Sequence, residues 1–66
     1  MKVTLNDIAV DAADGTTVAA LLEGQNIKTQ GIALAVNGKV LPKADYESHC
    51  LSDGDSIIII KAFYGG

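Results

Sequence analysis

Three groups of residues have types and spacings that could do chemistry: the neighbours His49 and Cys50, the carboxylates Asp53 and Asp55 around Gly54, and the closing pair Gly65-Gly66. A histidine beside a thiol could form a nucleophilic dyad. Sequence neighbours, however, diverge by about 100° on a helix and point to opposite faces of a strand. His49 therefore reads as a surface residue and Cys50 as a small packing residue, with an incidental or redox-sensitive thiol as the alternative. Asp-Gly-Asp before an apolar run reads as turn chemistry, each carboxylate bonding its own backbone, and Asp11 and Asp14 read the same way ahead of a helix. The sequence holds no Gly-rich phosphate loop, no Ser-His-Asp set, and no CxxC or HExxH metal spacing. A catalytic site and a bound metal or cofactor are not expected.

The closing glycines read differently. Glycine averages about 7% of sequence, so two at fixed positions are roughly a 0.5% coincidence. A frayed end without a role is the plain alternative. What glycine alone offers is a chain without Cβ atoms, able to thread a tunnel too narrow for side chains and to accept the dihedrals imposed there. The carboxylate of Gly66 would then reach a partner's active site as a substrate. A carboxylate is a poor electrophile, and an acyl-adenylate made from ATP supplies the leaving group it lacks. A sulfur nucleophile that displaces AMP leaves a thiocarboxylate, itself a strong nucleophile. The chain need not bind ATP for this. Phe63 and Tyr64 either fold back on a sheet or anchor the end at the partner's entrance, as aromatics do at interfaces.

Composition narrows the partners. The 66 residues make one domain, 48% apolar, with a net charge of −3. A chain this short buries only about 60% of its unfolded surface, leaving little stability with which to strain an active site. Its five lysines are scattered and no arginine occurs, so no basic stripe exists for nucleic acid. A mildly acidic surface suits a partner with a basic cleft. No apolar run approaches the roughly 20 residues that cross a bilayer, and no leader pattern is present. A single cysteine cannot close an internal disulfide, which fits a reducing cytoplasm.

The elements that position these residues follow from periodicity. "VTLNDIAV" alternates around Asn6-Asp7, a hairpin with Val3, Leu5, Ile8 and Val10 on its core face. "DGTTVAALLEGQN" shifts to helical spacing: Thr16 or Thr17 as cap, Val18, Leu21 and Leu22 as apolar stripe, and Gly24 where a C-terminus wants positive φ. "GIALAVNGKVLP" is a second hairpin on Asn37-Gly38, ended by Pro42. "KADYESHCL" holds a turn of helix anchored by Tyr46 and Leu51. In the last strand, "SIIIIKA", four β-branched residues do not alternate, which reads as a central strand covered on both faces. The order ββ-α-ββ-(short helix)-β describes an α+β domain, one helix across a mixed sheet. That order resembles the β-grasp arrangement of ubiquitin-like proteins, with the last strand free to lie parallel to the first.

Particular residues sharpen the comparison. Val36-Asn37-Gly38, the Val40-Leu41-Pro42 step, Tyr46, Asp53-Gly54-Asp55, the β-branched strand and Gly65-Gly66 resemble the ThiS family, the sulfur carriers of thiamine biosynthesis. "VTLNDIAV" and "GTTVAALLE" fit as well, so the resemblance covers essentially the whole chain. It implies that Gly66 is adenylated with ATP by a ThiF-like activating enzyme and thiocarboxylated with sulfur passed from a cysteine desulfurase. It further implies delivery of that sulfur to a ThiG-like thiazole synthase. Residues 1–62 would be the β-grasp domain, a monomer when free, and 63–66 a flexible tail whose Gly65 enters the partner's site. Tyr64 and Phe63, with Ile60 and Ile58 on the sheet face turned from the helix, would dock the partner; Lys61 shares parity with Ile57 and Ile59, which argues for the other pair. The small subunit of molybdopterin synthase shares this fold and ending, although the Pro-rich step usual there is Lys61-Ala62-Phe63-Tyr64 here. A ubiquitin-like modifier joined to target lysines is the other alternative.

Overall fold

The computed structural model describes residues 1–61, and Ala62 to Gly66 lie outside the described residues. The chain runs β1 (Lys2–Leu5), β2 (Ile8–Asp11), α1 (Val18–Gly24), β3 (Ile32–Val36), β4 (Lys39–Val40), a 3-10 turn at Lys43–Asp45, and β5 (Ser56–Lys61). The strands form one sheet in the order β2-β1-β5-β3-β4. This is the α+β architecture expected from the pattern of periods, in the β-grasp arrangement that the element order resembles. β5 lies centrally, parallel to β1 and antiparallel to β3.

Both hairpins close on two-residue turns with positive φ, 49° and 67° at Asn6 and Asp7, 52° and 83° at Asn37 and Gly38. Those signs define the type I′ turn, whose twist matches that of the flanking strands. The first turn sets Leu5 opposite Ile8 and Val3 opposite Val10. Ile8 nevertheless stays 69% exposed and does not join the core as expected. β2 is the edge strand, and a helix of 7 residues is about 10 Å long, roughly two strand spacings. It cannot cover the whole sheet.

Thr17 caps α1, its Oγ1 accepting from the Ala20 N–H at 3.1 Å, while the Thr16 hydroxyl donates to the Ala13 carbonyl. The C-terminus differs from expectation. Gly24 is the last helical residue, and the left-handed position belongs to Asn26 at φ 58°. The Ile27 N–H donates to the Leu22 carbonyl and the Asn26 N–H to that of Glu23. That pair of bonds is a Schellman cap. Ile27, just beyond it, packs against the core.

One core fills the space between sheet and helix: Val3, Leu5, Leu34, Val36 and Ile57 from the strands, Val18, Leu21 and Leu22 from α1, closed by Tyr46 and Leu51. The last two are the anchors expected for "KADYESHCL". No helix among the described residues is long and apolar enough to cross a membrane.

Candidate functional site

Strand β5 is the last described element before Gly65-Gly66 in the sequence, which makes the face it presents a candidate docking surface. Its alternation is decided by register. Ile57 pairs with Leu5 on one side and Val36 on the other, and is fully buried under the helix. Ile58 sits opposite Ala35 and Ile60 opposite Ala33, on the far face. Ile60 is 56% exposed and Ile58 half-buried. The four isoleucines are therefore not covered on both faces, as the missing alternation implied. One face of β5 is core and the other is open.

Across that open face Val40 stands opposite Ala35 and is 75% exposed. Val40 on one side and Ile58 with Ile60 on the other thus flank a row of small residues, Ala33 and Ala35. Burying such a surface in a complex removes apolar area from water, which makes it a candidate docking face. Neither Val40 nor the two alanines is read as a docking residue from the sequence. The signal for them was present: on "IALAV" the larger side chains share one parity and the alanines the other, and the Asn37-Gly38 turn fixes Val40 beside Ala35.

The remaining candidates separate. Phe63, Tyr64, Gly65 and Gly66 lie outside the described residues. No hydrogen bond joins the His49 and Cys50 side chains among the described residues; their backbone holds the segment to the start of α1, Cys50 in an isolated bridge with Thr17 and the His49 carbonyl accepting from the Val18 N–H at 3.0 Å. Cys50 is exposed and not a packing residue, because its neighbour Leu51 takes the buried side and successive residues of an extended segment point oppositely. Both residues border an open hollow of about 490 Å³ together with Asn37, Lys39 and Asp55.

Of the two aspartates only Asp55 bonds within the turn as expected; the Asp53 carboxylate is turned to another strand instead. Asp55 Oδ2 accepts from the Ser52 N–H, as expected, but its Oδ1 accepts from Asn37 Nδ2 at 2.9 Å. Asn37 Oδ1 in turn accepts from the Ser56 N–H. Asp53 Oδ1 takes the Lys2 N–H at 2.7 Å, across 51 residues. These bonds fix the entry of β5 against both neighbouring strands. Asp11 is the last residue of β2, and Asp14 lies 3.7 Å from the Met1 ammonium; neither side chain bonds its own backbone among the described residues. No group of three His, Cys, Asp or Glu able to hold a metal occurs there either.

A mixed five-stranded sheet with one helix packed across it and its last strand at the centre has the ubiquitin-like β-grasp fold. A ubiquitin-like protein from the archaeon Caldiarchaeum subterraneum matches in fold, with a TM-score of 0.50 at 19% identity over 97% of this chain and 96% of that one. The more specific assignment comes from the sequence: the model of the ThiS family matches residues 3–66, and the chain belongs to that family. The sulfur carrier protein ThiS of Escherichia coli K12 is 36% identical over 66 residues, covering all of both chains. The crystal structure of the thiamine biosynthesis protein ThiS from Geobacter metallireducens superposes with a TM-score of 0.82 at 28% identity, over 100% of this chain and 99% of that one.

Proposed function

We propose that the chain is a sulfur carrier of thiamine biosynthesis, and that its reactive group is the carboxylate of Gly66. The observation that carries this reading is the span of the family match, which runs through Gly65-Gly66. The chain acts as substrate and carrier, not as catalyst.

The chemistry follows from the acyl group. Attack of the Gly66 carboxylate on the α-phosphorus of ATP, within an adenylating partner, releases pyrophosphate and gives a mixed anhydride. A sulfide equivalent attacks the acyl carbon, the C–O bond to AMP breaks, and a thiocarboxylate remains. The sulfur would derive from a cysteine desulfurase and pass to a thiazole synthase. The chain supplies two things: an apolar sheet face for docking, bearing Ile58 and Ile60 with Phe63 and Tyr64 following, and a glycine end slim enough to enter the partner. Residues 1–62 serve as the docking domain and 63–66 as the part that enters.

Intact mass tests this. Incubation with the adenylating enzyme, ATP and sulfide should raise the mass by about 16 Da, oxygen replaced by sulfur, and removal of Gly65 and Gly66 should abolish the gain. No gain under conditions that load the Escherichia coli carrier would overturn the proposal.

A further inference from the structure

β5 is held unequally along its two edges. On the β3 side pairing continues to the end of the strand, where Ile32 faces Lys61. On the β1 side only Thr4↔Ser56 and Leu5↔Ile57 are paired, because β1 reverses at Asn6-Asp7. The backbone bonds there follow the parallel rhythm: the Thr4 N–H donates to the Asp55 carbonyl at 3.0 Å and the Asn6 N–H to the Ile57 carbonyl at 2.9 Å. In a parallel ladder the next bond would run from the Ile59 N–H to the Asn6 carbonyl. Asn6 has φ 49°, and the chain there is already turning back into β2. The Ile59 N–H donates instead to Asn6 Oδ1, at 2.8 Å and across 53 residues. The side-chain carbonyl replaces the backbone carbonyl one step past the end of the ladder.

From this substitution we infer that Asn6 is a positioning residue for the carrier reaction. It ties β5 on its β1 side at Ile59, where the β1 ladder has ended, and so steadies the strand that precedes residues 62–66. The inference rests on the sulfur-carrier reading. Asn6 touches no reacting atom; it acts through the Ile59 amide. Any residue that tolerates positive φ would serve the turn, but the second task needs an acceptor of the right length.

Two substitutions separate these tasks. Asn6→Gly keeps the left-handed turn and removes the acceptor, whereas Asn6→Asp keeps both, since Asp tolerates this conformation and its carboxylate accepts N–H bonds. Asp7→Gly alters the same turn without touching the clamp. Adenylation is read as pyrophosphate release from ATP with the full-length chain as variable substrate, and the Ile59 amide is followed by hydrogen exchange. Asn6→Gly should lower kcat about tenfold with KM within about twofold, because the docking face is intact and only presentation suffers. Its Ile59 amide should exchange faster than the wild-type amide. Asn6→Asp should recover kcat to within about threefold, and Asp7→Gly should match the wild type. The inference is overturned if Asn6→Gly turns over normally, if its Ile59 exchange is unchanged, or if either Asn6→Asp or Asp7→Gly falls as far as Asn6→Gly. Failure to adenylate the wild-type chain would sink the carrier reading and this inference together; a normal wild type beside a normal Asn6→Gly sinks only the inference.

Discussion

Four consecutive isoleucines on one strand meet two different fates. Ile57 is fully buried between Leu5 and Val36 beneath the helix, while Ile60, three residues on, is 56% exposed above Ala33. Composition and local propensity are identical at the two positions, so neither decides. Register decides, because a period of two sends neighbours to opposite faces and only one face has a helix over it. The inward face holds the domain together, and the outward face is available to a partner.

The largest effect expected from this difference is on stability. Ile57→Ala removes a branched side chain from a site with no solvent exposure, which typically costs about 2–5 kcal/mol. In a domain of this size each kcal/mol moves Tm by about 4–8 °C, so thermal unfolding should fall by at least about 8 °C. Ile60→Ala should move Tm by less than about a quarter of that, since exposed positions usually respond within about 0.5 kcal/mol. Equal shifts at the two positions would mean that the outer face is packed as tightly as the inner one.

A second, smaller effect separates folding from binding. Ile60→Lys places a charge on one flank of the proposed docking face, and a desolvated charge there opposes complex formation. Affinity for the adenylating partner should drop about tenfold, near 1.4 kcal/mol, while Tm changes little. Titration of the partner by calorimetry measures the first and thermal unfolding the second. Unchanged affinity would remove Ile60 from the docking surface and break the division of labour between the faces.

How far the sequence could be read follows the range of the interactions. Asn6-Asp7 and Asn37-Gly38 were legible as hairpin turns because a type I′ turn is decided by the conformational tolerance of its own two residues. The β-grasp order was legible because each element has its own period. Ile8 was placed wrongly because its burial depends on how far a two-turn helix reaches over the edge strand, which is not a local property. Gly24 lost the left-handed position to Asn26 because the helix end is set where Ile27 reaches the core and its N–H closes on the Leu22 carbonyl, two residues later than the glycine suggested. Cys50 looked like a core residue by type but is turned outward by its neighbour Leu51. Asn6's second bond, to Ile59 across the sheet, depends on the register of β1 against β5, and no local pattern encodes that.

The smallest effect tests the comparison most directly, because its sign carries the answer. Ala33 lies on the outer face beside Ile60 and is exposed. Ala33→Val adds a β-branched side chain, which fits a pleated surface better than alanine and has room in solvent. The free protein should become slightly more stable, by a few tenths of a kcal/mol, which raises Tm by about 1–3 °C. If another part of the chain folded over this face, the same methyl groups would be forced into a filled space, and overpacking would cost about 1–3 kcal/mol instead. A fall in Tm of more than about 4 °C would therefore show the face to be covered in the free protein. A small rise would leave it open, with the row of alanines and the flanking isoleucines and Val40 ready for a partner.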